Sequence, residues 1–172
     1  MRKIRYSVAM SLDGYISGPN GEADWIVIDP ELNFAELWSQ FDIGLMGRRT
    51  YEAAVARLGI VAMKQLKIFV ASRTLQQADH PEVTILPNLS GDQIQSIRLK
   101  SKKDIWLFGG AELFRLLLDM GEVDTVEVTI VPVLLGGGTP LLSPSEHRAK
   151  LKLSAHKVYR SGLVSLTYDV QR

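Results

Sequence analysis

Two segments about sixty residues apart carry the residue types that could grip a diphosphate. The first is Leu45-Met46-Gly47-Arg48-Arg49-Thr50-Tyr51-Glu52. The second is Ile105-Trp106-Leu107-Phe108-Gly109-Gly110-Ala111-Glu112-Leu113-Phe114. Each reads as a buried strand, a tight glycine turn and the first turn of a helix. A helix N-terminus leaves backbone N–H groups unpaired and carries the positive end of the helix dipole, which suits a phosphate. Gly47, Gly109 and Gly110 would let a ligand approach the backbone. Arg48 or Arg49 could fork onto phosphate oxygens, and Thr50 could cap its helix or donate its hydroxyl. Taken singly, each turn has a plainer reading: a strand-to-helix connection with solvated arginines, or close helix–strand packing. Neither is the Gly-x-Gly-x-x-Gly fingerprint. The pair points to a dinucleotide. Glu112 favours the helix dipole but would repel a phosphate, so it should point away.

Other residues add to this pair or fail to. Ser72-Arg73 follows the apolar run Ile68–Ala71 and could hold an isolated phosphate such as the 2′-phosphate of NADP; a simple turn start is the alternative. The loop Ser11–Trp25 carries Asp13, Asp24 and Trp25 and is long for a connection, as lids are. His80, His147 and His156 are scattered without ligand spacing, and no Ser/His/Asp arrangement is visible. Hydrolytic and metal mechanisms are therefore disfavoured, and no metal site is expected.

The elements that must position these residues can be read from periodicity. Ile4, Tyr6, Val8 and Met10 alternate as a first strand. Asp29-Pro30-Glu31 predicts a helix start, with Asp29 as N-cap and Pro30 at the first helical position, running to about Phe41. Strands are expected at Ile43–Met46, Lys67–Ala71, Val83–Leu86 and Asp104–Phe108. Helices are expected at Thr50–Leu58, after the capping box of Ser90 and Gln93, and at Ala111–Met120 with Gly121 as its stop. Val126, Val128 and Ile130 form another strand, and a glycine loop follows at Gly136–Gly138. Leu151–Tyr159 and Leu163–Val170 flank Arg160-Ser161-Gly162 as a hairpin. Strand–helix alternation with a terminal hairpin predicts a mostly parallel sheet with an antiparallel edge. Ser143–Lys150 is the least constrained stretch.

Length and composition bound the answer. A chain of 172 residues with 46% hydrophobic and 23% charged residues is expected to be a single domain, residues 1–172, with a substantial core. A net charge of +1 gives no general attraction to nucleic acid or membrane, and neither partner is expected. The absence of cysteine removes disulfides and thiolate chemistry. The basic start lacks the apolar stretch of a signal peptide, and no run approaches membrane-span length, so the cytoplasm is expected.

In order along the chain, Ser11-Leu12-Asp13-Gly14-Tyr15-Ile16, Gly47–Glu52, Ser72-Arg73-Thr74-Leu75, Gly109-Gly110-Ala111 and Val131–Gly136 resemble the dihydrofolate reductase superfamily. Within it the chain looks most like the branch related to the reductase (C-terminal) domain of the bifunctional riboflavin-biosynthesis deaminase-reductase. The resemblance implies a three-layer α/β/α fold with about eight strands and NADPH as hydride donor. It places Gly47, Arg48, Arg49 and Thr50 at the cofactor phosphates and Ser72 and Arg73 at the 2′-phosphate. Gly109, Gly110, Ala111 and Glu112 fall under the pyrophosphate, and Asp13 with the loop to Trp25 falls in the segment that closes over the nicotinamide. It also implies a homodimer, to which Val131–Leu135 could contribute. The chain departs from a dihydrofolate reductase where one acid would start the first helix: Asp29 and Glu31 straddle that place around Pro30.

The expected function is an NADPH-dependent reductase transferring a hydride to a C=N or C=O group of a small heterocyclic or sugar-like substrate. The resemblance offers 5-amino-6-(5-phosphoribosylamino)uracil reductase or dihydrofolate reductase as analogues. Asp29, then Glu31, and Asp13 in the loop are the candidate proton donors; a helix cap is the plain reading of Asp29. A catalytically inactive nucleotide-binding module on the same fold is the alternative, and a purely structural domain a third.

Overall fold

A computed structural model describes residues 2–59, 64–144 and 148–171. Among the described residues, ten strands and four α-helices follow in the order β1 (Ile4–Ser11), β2 (Tyr15–Ser17), α1 (Phe34–Ser39), β3 (Phe41–Gly47), α2 (Arg48–Leu58), β4 (Lys67–Ala71), β5 (Thr84–Leu86), α3 (Gly91–Lys100), β6 (Asp104–Gly109), α4 (Ala111–Asp119), β7 (Thr125–Val131), β8 (Thr139–Pro140), β9 (Lys150–Val158) and β10 (Val164–Gln171). Eight strands form one sheet in the order β5-β4-β3-β6-β1-β7-β10-β9. The first six in that order are mutually parallel, and β10 runs antiparallel to both β7 and β9.

Alternation along each strand sends side chains to two different layers. Ile4 and Tyr6 of β1, Leu45 of β3 and Leu107 of β6 face α3 and α4, and the Tyr6 ring stacks on Phe114 at 3.7 Å. Met46, Ile68, Val70 and Trp106 face α1 and α2. Burial on both faces explains why the central strands read as continuous apolar runs. The result is the three-layer architecture that the resemblance implied, around the mostly parallel sheet with an antiparallel edge expected from the strand–helix alternation.

The structure corrects the first helix. Asp29 does not cap it. Its carboxylate accepts from the Glu31 backbone N–H at 2.7 Å and its carbonyl from Leu32 N–H at 2.9 Å, closing an isolated turn. The helix starts at Phe34, with Asn33 Oδ1 accepting from Glu36 N–H at 3.0 Å, and it ends at Ser39; Phe41 opens β3. A second capping signal, Asn33 followed by Glu36, therefore outcompetes the Asp29-Pro30 pair. The long loop after β1 is also more ordered than its composition predicts. β2 pairs with β8 in a small antiparallel sheet. Gly138 makes this possible: its φ is +134°, and a Cβ there would lie 2.0 Å from the Ser17 carbonyl oxygen.

Candidate active site

Every strand from β1 to β7 except β2 points its carboxyl end toward one edge of the main sheet, and the motifs collect there. β3 and β6 are neighbours, with Met46 opposite Gly109. Gly47 and Gly110 are the N-caps of α2 and α4, and neither helix has a side-chain cap. By contrast, α1 is capped by Asn33 and α3 by the Ser90–Gln93 box. The two helices that begin at the adjacent ends of β3 and β6 thus leave their leading N–H groups without a side-chain cap.

The glycines at these turns do different jobs. Gly109 has φ +100°, and a Cβ would crowd the Tyr6 ring at 3.2 Å, so the fold itself demands glycine. Gly47 and Gly110 have ordinary negative φ values of −80° and −74°. A Cβ on Gly47 would meet Gly109 O at 3.7 Å, and one on Gly110 would meet Thr50 Oγ1 at 3.5 Å. Those are normal contacts. Backbone and packing do not require glycine at position 47, whereas a diphosphate lying against bare backbone would. The residues present therefore fit such a group.

The flanking cations are arranged accordingly. Arg48 is exposed, donates to Thr74 Oγ1 at 3.0 Å and lies 3.6 Å from Glu52. Ser72 Oγ accepts from the backbone of Thr74 and Leu75, so it builds the turn after β4 that carries Arg73. Arg49 and Arg73 are exposed, with no side-chain partner among the described residues. Ala111 is buried and Glu112 is exposed in the first turn of α4. The structure brings Gly47–Thr50 and Gly109–Glu112 to one edge, with Ser72-Arg73 on the next strand out.

The three candidate acids are not together. The Asp13 carboxylate accepts from Ser11 Oγ at 2.7 Å, Gly136 N–H at 2.7 Å and Leu135 N–H at 3.1 Å, tying the loop after β1 to the loop after β7. The Ser11 hydroxyl, with those backbone donors, holds Asp13 below the usual carboxylate range. Asp29 is buried, and hydrogen bonds from Ser161 in the β9–β10 turn, then from Glu31 N–H, hold it low as well. Glu31 faces a different place, 4.0 Å from Lys157 and 3.9 Å from Arg160.

That place is a cleft of about 270 Å³ between α1 and the sheet face formed by β1, β7, β10 and β9. Ser7, Thr129 and Ser165 lie on its floor, with Thr129 Oγ1 2.9 Å from Ser165 Oγ, while Glu31, Phe34 and Lys157 stand at its walls. The sequence reading missed this cleft because its residues come from strands whose order is invisible in the chain. The alternation of Ser7, Thr129 and Ser165 with apolar neighbours was the available signal. Among the described residues no group of three or more His, Cys, Asp or Glu could hold a metal ion, and no helix is long and apolar enough to cross a membrane. His147 lies outside the described residues.

Comparison with known proteins agrees with this geometry. The family described as the RibD C-terminal domain matches residues 2–165. A Bacillus subtilis (strain 168) protein, YyaP, itself uncharacterized, is 32% identical over 97% of this chain and 94% of its own length. Among solved structures, a Shewanella sp. PV-4 protein provisionally named for riboflavin biosynthesis superimposes with a TM-score of 0.83 at 26% identity, covering all of both chains. Dihydrofolate reductase from Enterococcus faecalis, complexed with NADP(H), superimposes with a TM-score of 0.70 at 16% identity over 99% of this chain and 97% of that one. The fold is therefore dihydrofolate reductase-like.

Proposed function

The chain belongs to the RibD C-terminal domain family, and from that premise we propose that it is an NADPH-dependent reductase of a small heterocyclic or sugar-like substrate. One observation carries the reading: the uncapped N-termini of α2 and α4 abut at Gly47 and Gly110, and Gly47 is a glycine that neither its dihedrals nor its packing requires. These N-termini, with Thr50, would hold the diphosphate, and Arg48, Arg49, Ser72 and Arg73 the 2′-phosphate. NADPH, when bound, supplies the hydride. The cleft under α1 opens on the sheet face that also carries α2, and would hold the C=N or C=O acceptor.

The protein's own part is binding, orientation and proton supply. Asp13 and Asp29 are held in their charged forms and are weak proton donors at neutral pH. Their work is positional: Asp13 fixes the loop over the cofactor edge, and Asp29 fastens the turn before α1 to the β9–β10 hairpin. Glu31 is the only one of the three that lines the cleft, and it is assigned to orient the water or substrate group that takes up the proton. The second reading, an inactive nucleotide-binding module, draws its support from the same two carboxylates.

The test is a titration with NADPH and NADH. A forked arginine contact to the 2′-phosphate is worth roughly 1.5–3 kcal/mol. At about 1.4 kcal/mol per tenfold, NADPH should bind ten- to a hundredfold more tightly. Equal affinities would remove the assigned roles of Arg48 and Arg73. Binding without turnover of any imine, carbonyl or pterin would favour the inactive module. A cytoplasmic location and a homodimer complete the proposal. The dimer is supported by β9, an edge strand exposed along all nine residues with Leu151 and Leu153 on it, and light scattering would measure it.

A further inference from the structure

Resting on the reductase reading, we propose that the cleft under α1 selects a substrate without a phosphate: a small, uncharged or cationic polar ring. Riboflavin-type reductases, which this chain resembles, would lead one to expect a phosphoribosyl group. The cleft is built against one. Three acidic side chains line it, Glu31, Glu36 and Glu127, and one basic side chain, Lys157. Glu127 and Glu31 have cationic partners, so Glu36 is the carboxylate without an ion pair among the described residues, and an entering anion meets that charge, weakly screened where water is displaced.

The nearby cations are already committed. Arg5, beside the floor, donates to Glu127 at 2.5 and 3.0 Å and to Gln40 at 2.7 Å, and lies 3.6 Å from Asp104. Lys157 Nζ sits 4.4 Å above the Tyr159 ring and 4.0 Å from Glu31. Arg160 reaches the same Glu31 from outside the cleft, with its side chain 97% exposed. Among the described residues no fork of free cations lines the cleft.

The backbone donors of the floor are engaged too. The floor is made of strand interiors, where Ser7 pairs with Glu127 and Thr129 with Ser165, so the strand backbone is engaged in ladders. The helix N-termini free for a phosphate belong to α2 and α4, at the cofactor turns. What the floor offers is hydroxyls, which donate or accept as a neutral ring requires. Size points the same way. About 270 Å³ lies just below the usual range for ligand pockets, roughly 300–1,000 Å³, and suits a ring without a sugar phosphate.

The experiment is a low-salt titration of the protein, with and without saturating NADPH, using three probes: 2,4-diaminopyrimidine, 5-amino-6-ribitylaminouracil and the 5′-phosphate of the latter. The two unphosphorylated probes should bind at least tenfold more tightly than the phosphate. The exposed double variant Glu31→Gln/Glu36→Gln should narrow that gap at least threefold, as should 0.5 M salt. Tighter or equal binding of the phosphate overturns the proposal, and so does rejection of all three probes. NADPH binding, read in the same titrations, reports separately on the reductase reading: its loss with the probe preference intact would sink that reading and leave the charge selection standing.

Discussion

Two glycines at the cofactor edge separate folding from binding at the scale of single residues. Gly109 sits at φ +100° with the Tyr6 ring 3.2 Å from a prospective Cβ, so Gly109→Ala combines backbone strain with a close contact. It should destabilise the protein by about 1–3 kcal/mol, seen as a lower urea midpoint. Gly47 already has alanine-compatible dihedrals and room for a methyl group. Gly47→Ala should therefore change stability by less than about 1 kcal/mol, the stiffer unfolded chain offsetting a poorer N-cap. The same methyl group stands where a diphosphate would lie, so NADPH affinity should fall at least tenfold. If Gly47→Ala binds NADPH normally, the cofactor does not approach that backbone.

At the scale of elements, what holds the scaffold and what forms the site lie at opposite ends of the strands. The amino-terminal end is clamped by Arg98 of α3, whose side chain is 2% exposed. It donates to Asp124 at 2.8 Å, to Glu122 at 3.2 Å and to the Arg2 carbonyl, while Asp124 in turn accepts from Ile4 N–H at 2.8 Å. Removing the guanidinium leaves two partly buried carboxylates without it, so Arg98→Ala should cost about 3–5 kcal/mol by denaturant unfolding. Residual NADPH binding by the folded fraction should be normal, because α2 and α4 begin at the far end. This division explains what could be read from the chain. Strand periods, the Ser90–Gln93 cap and the Arg160–Gly162 turn are local and were legible. So were the two glycine turns, since a strand, a glycine and a helix start are contiguous. The start of α1 was misplaced because two capping signals, Asp29-Pro30 and Asn33–Glu36, lie four residues apart, and only packing against the sheet decides between them. The cleft was illegible because β1, β7 and β10 meet through register alone.

For the molecule as a whole, titrating groups tied into tertiary contacts set the pH range of stability. Asp13, Asp29 and Glu82 are held low, chiefly by Ser11, Ser161 and Tyr51 in turn. For Asp42, burial opposes the shift, and the Ser101 hydroxyl with Lys102 N–H overcomes it. Each binds its proton less readily folded than unfolded, where carboxylates titrate near 4. Their contribution is therefore complete above about pH 5 and is lost as pH falls below about 4. Tyr51 has the opposite sign. Burial, then its hydrogen bond to Glu82, pushes it up to about 12. The unfolded chain releases that proton near 10, so stability should decline as pH rises from about 10 through about 12. A plateau between about pH 5 and 9 should appear in urea midpoints measured across this range. One substitution tests the coupling at both ends. The Tyr51 hydroxyl donates to Glu82 Oε1 at 2.5 Å, so its contact with His80 Nδ1 at 3.0 Å takes the imidazole N–H as donor. Tyr51→Phe deletes the ionising hydroxyl and the donor that holds Glu82 low. Beyond lowering the plateau, it should flatten the alkaline limb and, through Glu82, soften the acid limb. Unchanged slopes on both sides would mean that this cluster, which joins α2 to the loop before β5, does not govern the pH response.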